Sequence, residues 1–292
     1  MVKRIRKING YHVIGLIALI LYSIFFVFPA LYSLFYSFTD WNGISPGFQF
    51  VGIKNYQEVF QNSRLLNSIK ITLLYTVISV GITIPVSIIM AMLLNTKIKF
   101  QNGFRFIYFY PALLAMLVVG LIWNEIFANA LPALGETLGI SFLKNNLTAS
   151  ADTAFLSIII VSIWQNVAMP TVLFIACLQS IPADLYDAAK MDGAGPLQRF
   201  WAVTFPYLIP TLIINLIKCI RDSLVVFDYI FAITDGGPAR ATESMGYLIY
   251  KMGTFELSFS KACSIAEVLF VIILIVSFVI MKGLNRKGVD AA

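Results

Sequence analysis

An all-α membrane protein with six spanning helices is predicted by three observations. The chain is 59% hydrophobic and only 12% charged, where soluble domains run at about half apolar and a quarter charged. Its mean hydropathy is +0.83. Six segments, some with polar interruptions, approach or exceed the roughly 20 apolar residues needed to cross a hydrocarbon core about 30 Å thick: 13–36, 69–94, 106–126, 155–178, 206–234 and 264–281.

Taken in order, a basic start with Lys3, Arg4, Arg6 and Lys7 precedes the first span. Its apolar run exceeds the roughly 7 to 15 residues of a signal core, and Phe28-Pro29-Ala30-Leu31 makes a poor cleavage site, so a retained helix is expected. An external segment, 39–68, carries the turn formers Trp41-Asn42-Gly43 and Pro46-Gly47, then a short amphipathic helix through Tyr56, Val59 and Phe60. An inner loop, 95–105, joins the second and third spans, which contain Pro85 and Pro111. Neighbouring helices in a membrane can satisfy the carbonyl that each proline frees. The loop 128–153 is expected outside with one short helix, and Asp235-Gly236-Gly237-Pro238 is expected to end the fifth span. The predicted organisation is an N-terminal part (1–66), a membrane domain (67–281) and a short tail (282–292).

Basic residues set the orientation, because Lys and Arg accumulate on cytoplasmic loops. Lys3, Arg4, Arg6, Lys7, Lys97, Lys99, Arg105, Lys190, Arg199, Lys282, Arg286 and Lys287 fall on short segments of one side, which places both termini inside the cell. The formal charge of +6 then reflects topology and attraction to lipid headgroups, not nucleic-acid binding. Cys177, Cys219 and Cys263 fall in or at the edge of spans without metal-ligand spacing and read as packing residues. His12 is the single histidine and lies at the cytoplasmic entry of the first span, and the sequence shows no H-E-x-x-H, no Cys/His metal set and no Ser/His/Asp triad. The chain also lacks a Gly-Lys pair and therefore a P-loop. Any ATP hydrolysis must come from another chain.

Residues 181–210 interrupt this apolar pattern. Pro182 suits a helix first turn, with Asp184 and Asp187 near the positive end of its dipole, so a helix over 182–191 is expected. Gly193 and Gly195 allow a reversal, and Pro196 can begin a second helix through Phe200 and Trp201. Read alone, this is an interfacial hairpin between the fourth and fifth spans. Its residues Asp187-Ala188-Ala189, Asp192-Gly193-Ala194 and Pro206, thirteen positions past Gly193, resemble the cytoplasmic EAA loop of permease subunits in bacterial ABC importers. Asp187 departs from the Glu usual there. The runs Phe50 to Tyr56, Phe109-Tyr110-Pro111, Trp164-Gln165 and Thr234 to Pro238 extend the resemblance to permeases for carbohydrates, in particular the first permease of maltose, raffinose, multiple-sugar and glycerol-3-phosphate importers.

The resemblance implies a type I importer permease fold and a bacterial plasma-membrane location. It further implies a second permease, two ATPase subunits that bind ATP and Mg, an external solute-binding protein and a sugar or oligosaccharide substrate, with loop 181–206 contacting an ATPase. An organophosphate such as glycerol 3-phosphate is the alternative solute. A membrane enzyme would need a constellation other than a Cys/His metal set or a Ser/His/Asp triad. A secondary transporter would be expected to show internal pseudo-repeats and discontinuous helices, which the sequence does not suggest.

The solute path is expected along the fifth span. Thr211, Asn215, Lys218, Arg221, Asp222, Asp228 and Tyr229 fall within an arc of roughly 140° at about 100° per residue. Polar groups are costly in hydrocarbon and so should face a cavity or the bundle interior. Lys218 with Asp222 can instead be a purely structural i, i+4 pair. Glu267, Trp164 and Gln165 are further candidates, Glu267 as a partner for Lys218 or Arg221.

Overall fold

The computed structural model describes residues 10–96 and 100–288. Lys3, Arg4, Arg6, Lys7, Lys97, Lys99 and the last four residues of the expected tail lie outside them. The regular structure among the described residues is helical, with no strand beyond an isolated bridge between Thr39 and Phe50. Among the described residues, six helices are long and apolar enough to cross a membrane: α1 (Val13–Tyr36), α3 (Ser63–Asn95), α5 (Met116–Leu138), α6 (Ala151–Gln179), α8 (Pro196–Leu224) and the apolar part of α11 (Phe259–Gly288). Between them lie α2 (Lys54–Gln61), α4 (Gln101–Phe109), α7 (Ala183–Met191), α9 (Asp228–Ile233) and α10 (Met245–Thr254).

Three of the six differ from the sequence expectation in ways that prolines explain. A π-helical turn occupies Ser23–Val27, Ile126–Ala130 and Phe200–Thr204, and in each case a proline follows two residues later: Pro29, Pro132 and Pro206. The residue before each proline bonds back five positions, Phe28 to Ser23, Leu131 to Ile126 and Phe205 to Phe200. Proline cannot donate and its ring crowds the carbonyl four residues back, so widening one turn keeps the helix continuous. Hence α5 continues to Leu138, through residues assigned above to an external loop, until Gly139 (φ +72°) ends it. Hence also α8 begins at Pro196, ten residues before the expected boundary at Pro206.

Other helices are interrupted. The expected third span, 106–126, is broken: α4 stops at Phe109, a 3₁₀ turn holds Tyr110–Leu113, and Leu114 and Ala115 are extended before α5 begins. The fifth span ends at Leu224, and α9 is a separate helix after Val225 to Phe227. The second break is held by tertiary contacts, since the Val226 carbonyl accepts the Ser244 hydroxyl at 2.8 Å. A Cβ on Gly246 would stand 2.9 Å from that same oxygen. The Asp235 to Pro238 turn therefore ends α9, with Asp235 at φ +49° and Gly236 at φ +76°. Discontinuous helices, unexpected from the sequence, are thus a feature of this fold.

The chain packs as two compact units, divided differently from the expected 66/67 and 281/282 boundaries: residues 1–62 with 249–268, and residues 63–248 with 269–292. Lys282, expected in a tail, is within α11. In the first unit α1 exposes nearly its whole apolar surface, while buried Asn55 on α2 donates to the carbonyls of Ser37 (2.8 Å) and Thr39 (2.6 Å). α2 buries Asn55 and Val59, an i, i+4 pair. Phe60, expected on that face, is 50% exposed, because it lies a further 100° around the helix.

The second unit packs α3 against α6 and α8. α3 achieves this with a buried stripe of Ser68, Thr72, Thr76, Ser79, Thr83 and Ser87 at three- and four-residue spacing. Small side chains let helix backbones approach closely in a membrane. Several of these hydroxyls bond back along the helix, as Thr72 to Ser68 at 2.7 Å and Ser87 to Thr83 at 2.6 Å. At one end of α3, Arg64 clasps Glu243 with two hydrogen bonds of 2.8 and 2.7 Å.

Candidate functional site

Two features of the second unit carry chemistry, a hairpin and a cavity, and α8 belongs to both. In the hairpin, Pro182 precedes α7 with extended backbone (ψ 134°), and Asp184 occupies the first turn. Asp187 and Ala188 are exposed and Ala189 is half-buried. The Asp187 carboxylate accepts from Lys190 at 3.0 Å with both side chains more than half exposed. Gly193 reverses the chain at φ +77°, with its N–H bonded to the Lys190 carbonyl at 3.0 Å. Gly195 has an ordinary φ of −69°, and its N–H donates to Gln198 at 2.9 Å, capping α8. The sequence reading did not single out Tyr186, whose hydroxyl meets Thr204 at 2.9 Å and ties α7 to the π turn of α8. Exposed Met191, Leu197 and Trp201 surround Asp192 and Ala194 in sequence, leaving the hairpin an apolar, partly charged outer surface.

The cavity measures about 490 Å³, and its walls include the breaks before α5 and before α9. Ala112, Leu114 and Met116 come from the break before α5, and Asn166, Met169 and Pro170 from the middle of α6. Val225 to Asp228 come from the break between α8 and α9. Helix breaks expose backbone polar groups at membrane depth, which is tolerated where they are buried in protein or line a cavity. Among expected path residues, Lys218, Asp222, Asp228, Tyr229 and Gln165 line it. Lys218 and Asp222 pair at 2.9 Å, yet their side chains remain 50% and 44% exposed, so pairing and lining coexist.

Several expectations are corrected. Asp228 and Tyr229 reach the cavity from α9, so one helical arc did not bring them there. Asn215 faces the bundle interior, one of its two expected surroundings, and is wholly buried with its amide unpartnered among the described residues. Arg221 is exposed and Thr211 half-buried, and neither lines the cavity. Trp164 is 44% exposed and packs edge-on to Trp123 at 5.6 Å instead. Glu267 belongs to the first unit, where its charge raises the Tyr56 pKa together with burial, the larger cause. Cys219, read as a packing residue, lines the cavity. Asn166 and the buried Tyr75 and Ser79 also line it. The hydroxyl stripe of α3 was the signal that could have found Ser79.

Residues 62–290 match the family of binding-protein-dependent transport system inner membrane components. The chain belongs to that family. This permease is 42% identical over 272 residues to the multiple sugar-binding transport system permease protein MsmF of Streptococcus mutans, covering 93% of each chain. It is 32% identical to a probable starch degradation products transport system permease, AmyD, of Thermoanaerobacterium thermosulfurigenes, across 90% of this chain and 89% of the other. Its fold is that of a chain in a bacterial ABC transporter involved in the import of alginate, with a TM-score of 0.82, 19% identity and 95% coverage of both chains. The permease is therefore an integral membrane transport component and not an enzyme. Its helix breaks remove one argument against a secondary transporter, and family membership supplies the exclusion instead.

Proposed function

We propose that this permease moves a sugar or oligosaccharide into the cell as one subunit of an ATP-driven importer. It would pair with a second permease, two ATPases binding ATP and Mg, and an external solute-binding protein. Both termini lie on the cytoplasmic side, as does the hairpin 183–199, where an ATPase groove receives Ala188, Ala189 and the turn at Gly193. The carrying observation is the continuity of α8, which begins in the hairpin at Pro196 and reaches the cavity at Lys218, Cys219 and Asp222. Lys218 and Asp222 lie roughly 18 to 24 Å along the helix from Pro206 at about 1.5 Å per residue. Motion imposed on the hairpin is thus transmitted along one helix to the cavity wall.

The lining also supports a neutral, hydroxylated solute over an organophosphate. Its charged side chains are Lys218 against Asp222 and Asp228, a net negative set that disfavours a phosphate, while amides, hydroxyls and carboxylates suit sugar hydroxyls. The relatives named for multiple sugars and starch degradation products point the same way. The test is uptake by the complete transporter of raffinose, maltotriose and glycerol 3-phosphate, with Asp222→Ala beside Arg221→Ala. A sugar should be taken up, and Asp222→Ala should reduce that uptake about tenfold while Arg221→Ala leaves it within twofold, roughly the loss of one charge-assisted hydrogen bond. Uptake of glycerol 3-phosphate alone, or equal neutral effects of both substitutions, would overturn the assignment.

A further inference from the structure

Gln165 was expected among the groups that touch solute, but its hydrogen bonds are already committed. Its amide nitrogen donates to the Pro111 carbonyl at 3.1 Å and the Leu114 carbonyl at 2.9 Å. These carbonyls belong to the interruption before α5, where Pro111 and the extended Leu114 and Ala115 suspend the helical bonding pattern. Its amide oxygen accepts the Tyr229 hydroxyl at 2.9 Å, and Tyr229 opens α9 immediately after the second interruption. Asn166 donates to the same hydroxyl at 3.3 Å. Gln165 and Tyr229 are each 3% exposed.

We propose that Gln165 is a positioning residue that ties the interruption before α5 to the one before α9 and so fixes the cavity between them. Glutamine suits this place because one nitrogen offers two donors to two carbonyls while its oxygen accepts a hydroxyl. Ionised glutamate offers no donor, and asparagine is one methylene shorter. The Pro111 carbonyl also accepts the Leu114 N–H at 3.2 Å, so Gln165 adds a second donor there and one at the Leu114 carbonyl; losing hydrogen bonds to carbonyls shielded from water is costly, so the tie holds both interruptions in one arrangement. Leu114 and Met116 on one side and Phe227 and Asp228 on the other then move together, and solute selectivity depends on residues that Gln165 holds and not on Gln165 itself.

This inference rests on the cavity being the solute path, and its test separates the two. Hydrogen–deuterium exchange on the complete transporter is compared between wild type and Tyr229→Phe, which leaves the donors to Pro111 and Leu114 in place. Exchange should rise about fivefold at 228–234 and also at 114–119, as the loss of one hydrogen bond predicts. An unchanged rate at 114–119 would overturn the tie. A second readout is the pH profile of uptake in Gln165→Glu. Uptake should recover as pH falls, because a protonated carboxyl regains one donor, where wild type shows no such recovery. A profile identical to wild type would also overturn it. The exchange measurement uses no solute, so a wild type that transports neither raffinose nor maltotriose refutes the solute reading while the tie is still decided.

Discussion

Gly120 on α5 faces Ala232 on α9, and a Cβ added there would stand 2.5 Å from the Ala232 Cβ. Carbon atoms in contact prefer about 3.5 to 4.0 Å, so Gly120→Ala requires a local separation of about 1 to 1.5 Å. Overpacking of that kind costs about 1 to 3 kcal/mol. α9 carries Asp228 and Tyr229 on the cavity wall, so the displacement should disturb transport as well as stability. The assay is thermal unfolding of the purified transporter together with sugar uptake. Gly120→Ala should lower both, and Ala232→Gly in the same chain should restore most of the loss by removing the colliding methyl. Wild-type stability in the single variant, or no recovery in the double, would refute the reasoning from close approach.

Gly193→Ala should keep the subunit inserted and cost about 1 to 2 kcal/mol for a left-handed side chain, because nothing lies within 4 Å of the added Cβ. Gly193→Pro loses the bond to Lys190 and cannot adopt φ +77°, so uptake and ATPase coupling should vanish, and normal uptake would sink the proposed role of the hairpin. Arg64→Ala should destabilise the second unit by about 3 to 5 kcal/mol, since Glu243 has a side chain only 4% exposed and loses its guanidinium; denaturation of the purified subunit measures it, and a change under 1 kcal/mol would argue against a tight clasp. Hydrogen bonding and charge from Lys261 hold the Glu58 carboxyl below its usual range. A depressed folded pKa stabilises above the unfolded value, about 4.3, and this support is lost as pH falls through the folded value. The protection factors of amides in α2, exchange rates corrected for the intrinsic effect of pH, should therefore fall in acid, and Glu58→Gln should flatten that dependence.

Membrane character, six spans and the reversal at Gly193 were legible because each depends on local pattern. Apolar run length decides insertion, and a glycine flanked by helix formers marks a turn. The hairpin helix α7 was expected within one residue of its observed start for the same reason: Pro182 and Asp184 are local signals. The π turns were also written locally, in Pro29, Pro132 and Pro206, but reading them requires knowing that the helix continues through each proline. A proline is compatible with either outcome, and only packing selects between a stop and a widened turn.

Composition and spacing thus determined that the chain crosses the membrane six times, that it presents a polar hairpin between two spans, and that it lacks the Gly-Lys pair of a P-loop. Tertiary structure alone decided where the helices break, and the cavity follows from those breaks. The fifth span reads as one apolar-rich helix to Thr234, yet it stops at Leu224 because Ser244, eighteen residues beyond Val226, supplies that residue's carbonyl with a donor. Gln165 likewise reads in the sequence as a solute ligand, whereas its amide bridges two interruptions. Periodicity records which face of a helix is polar, whereas the partner of a given carbonyl is set by segments distant in sequence.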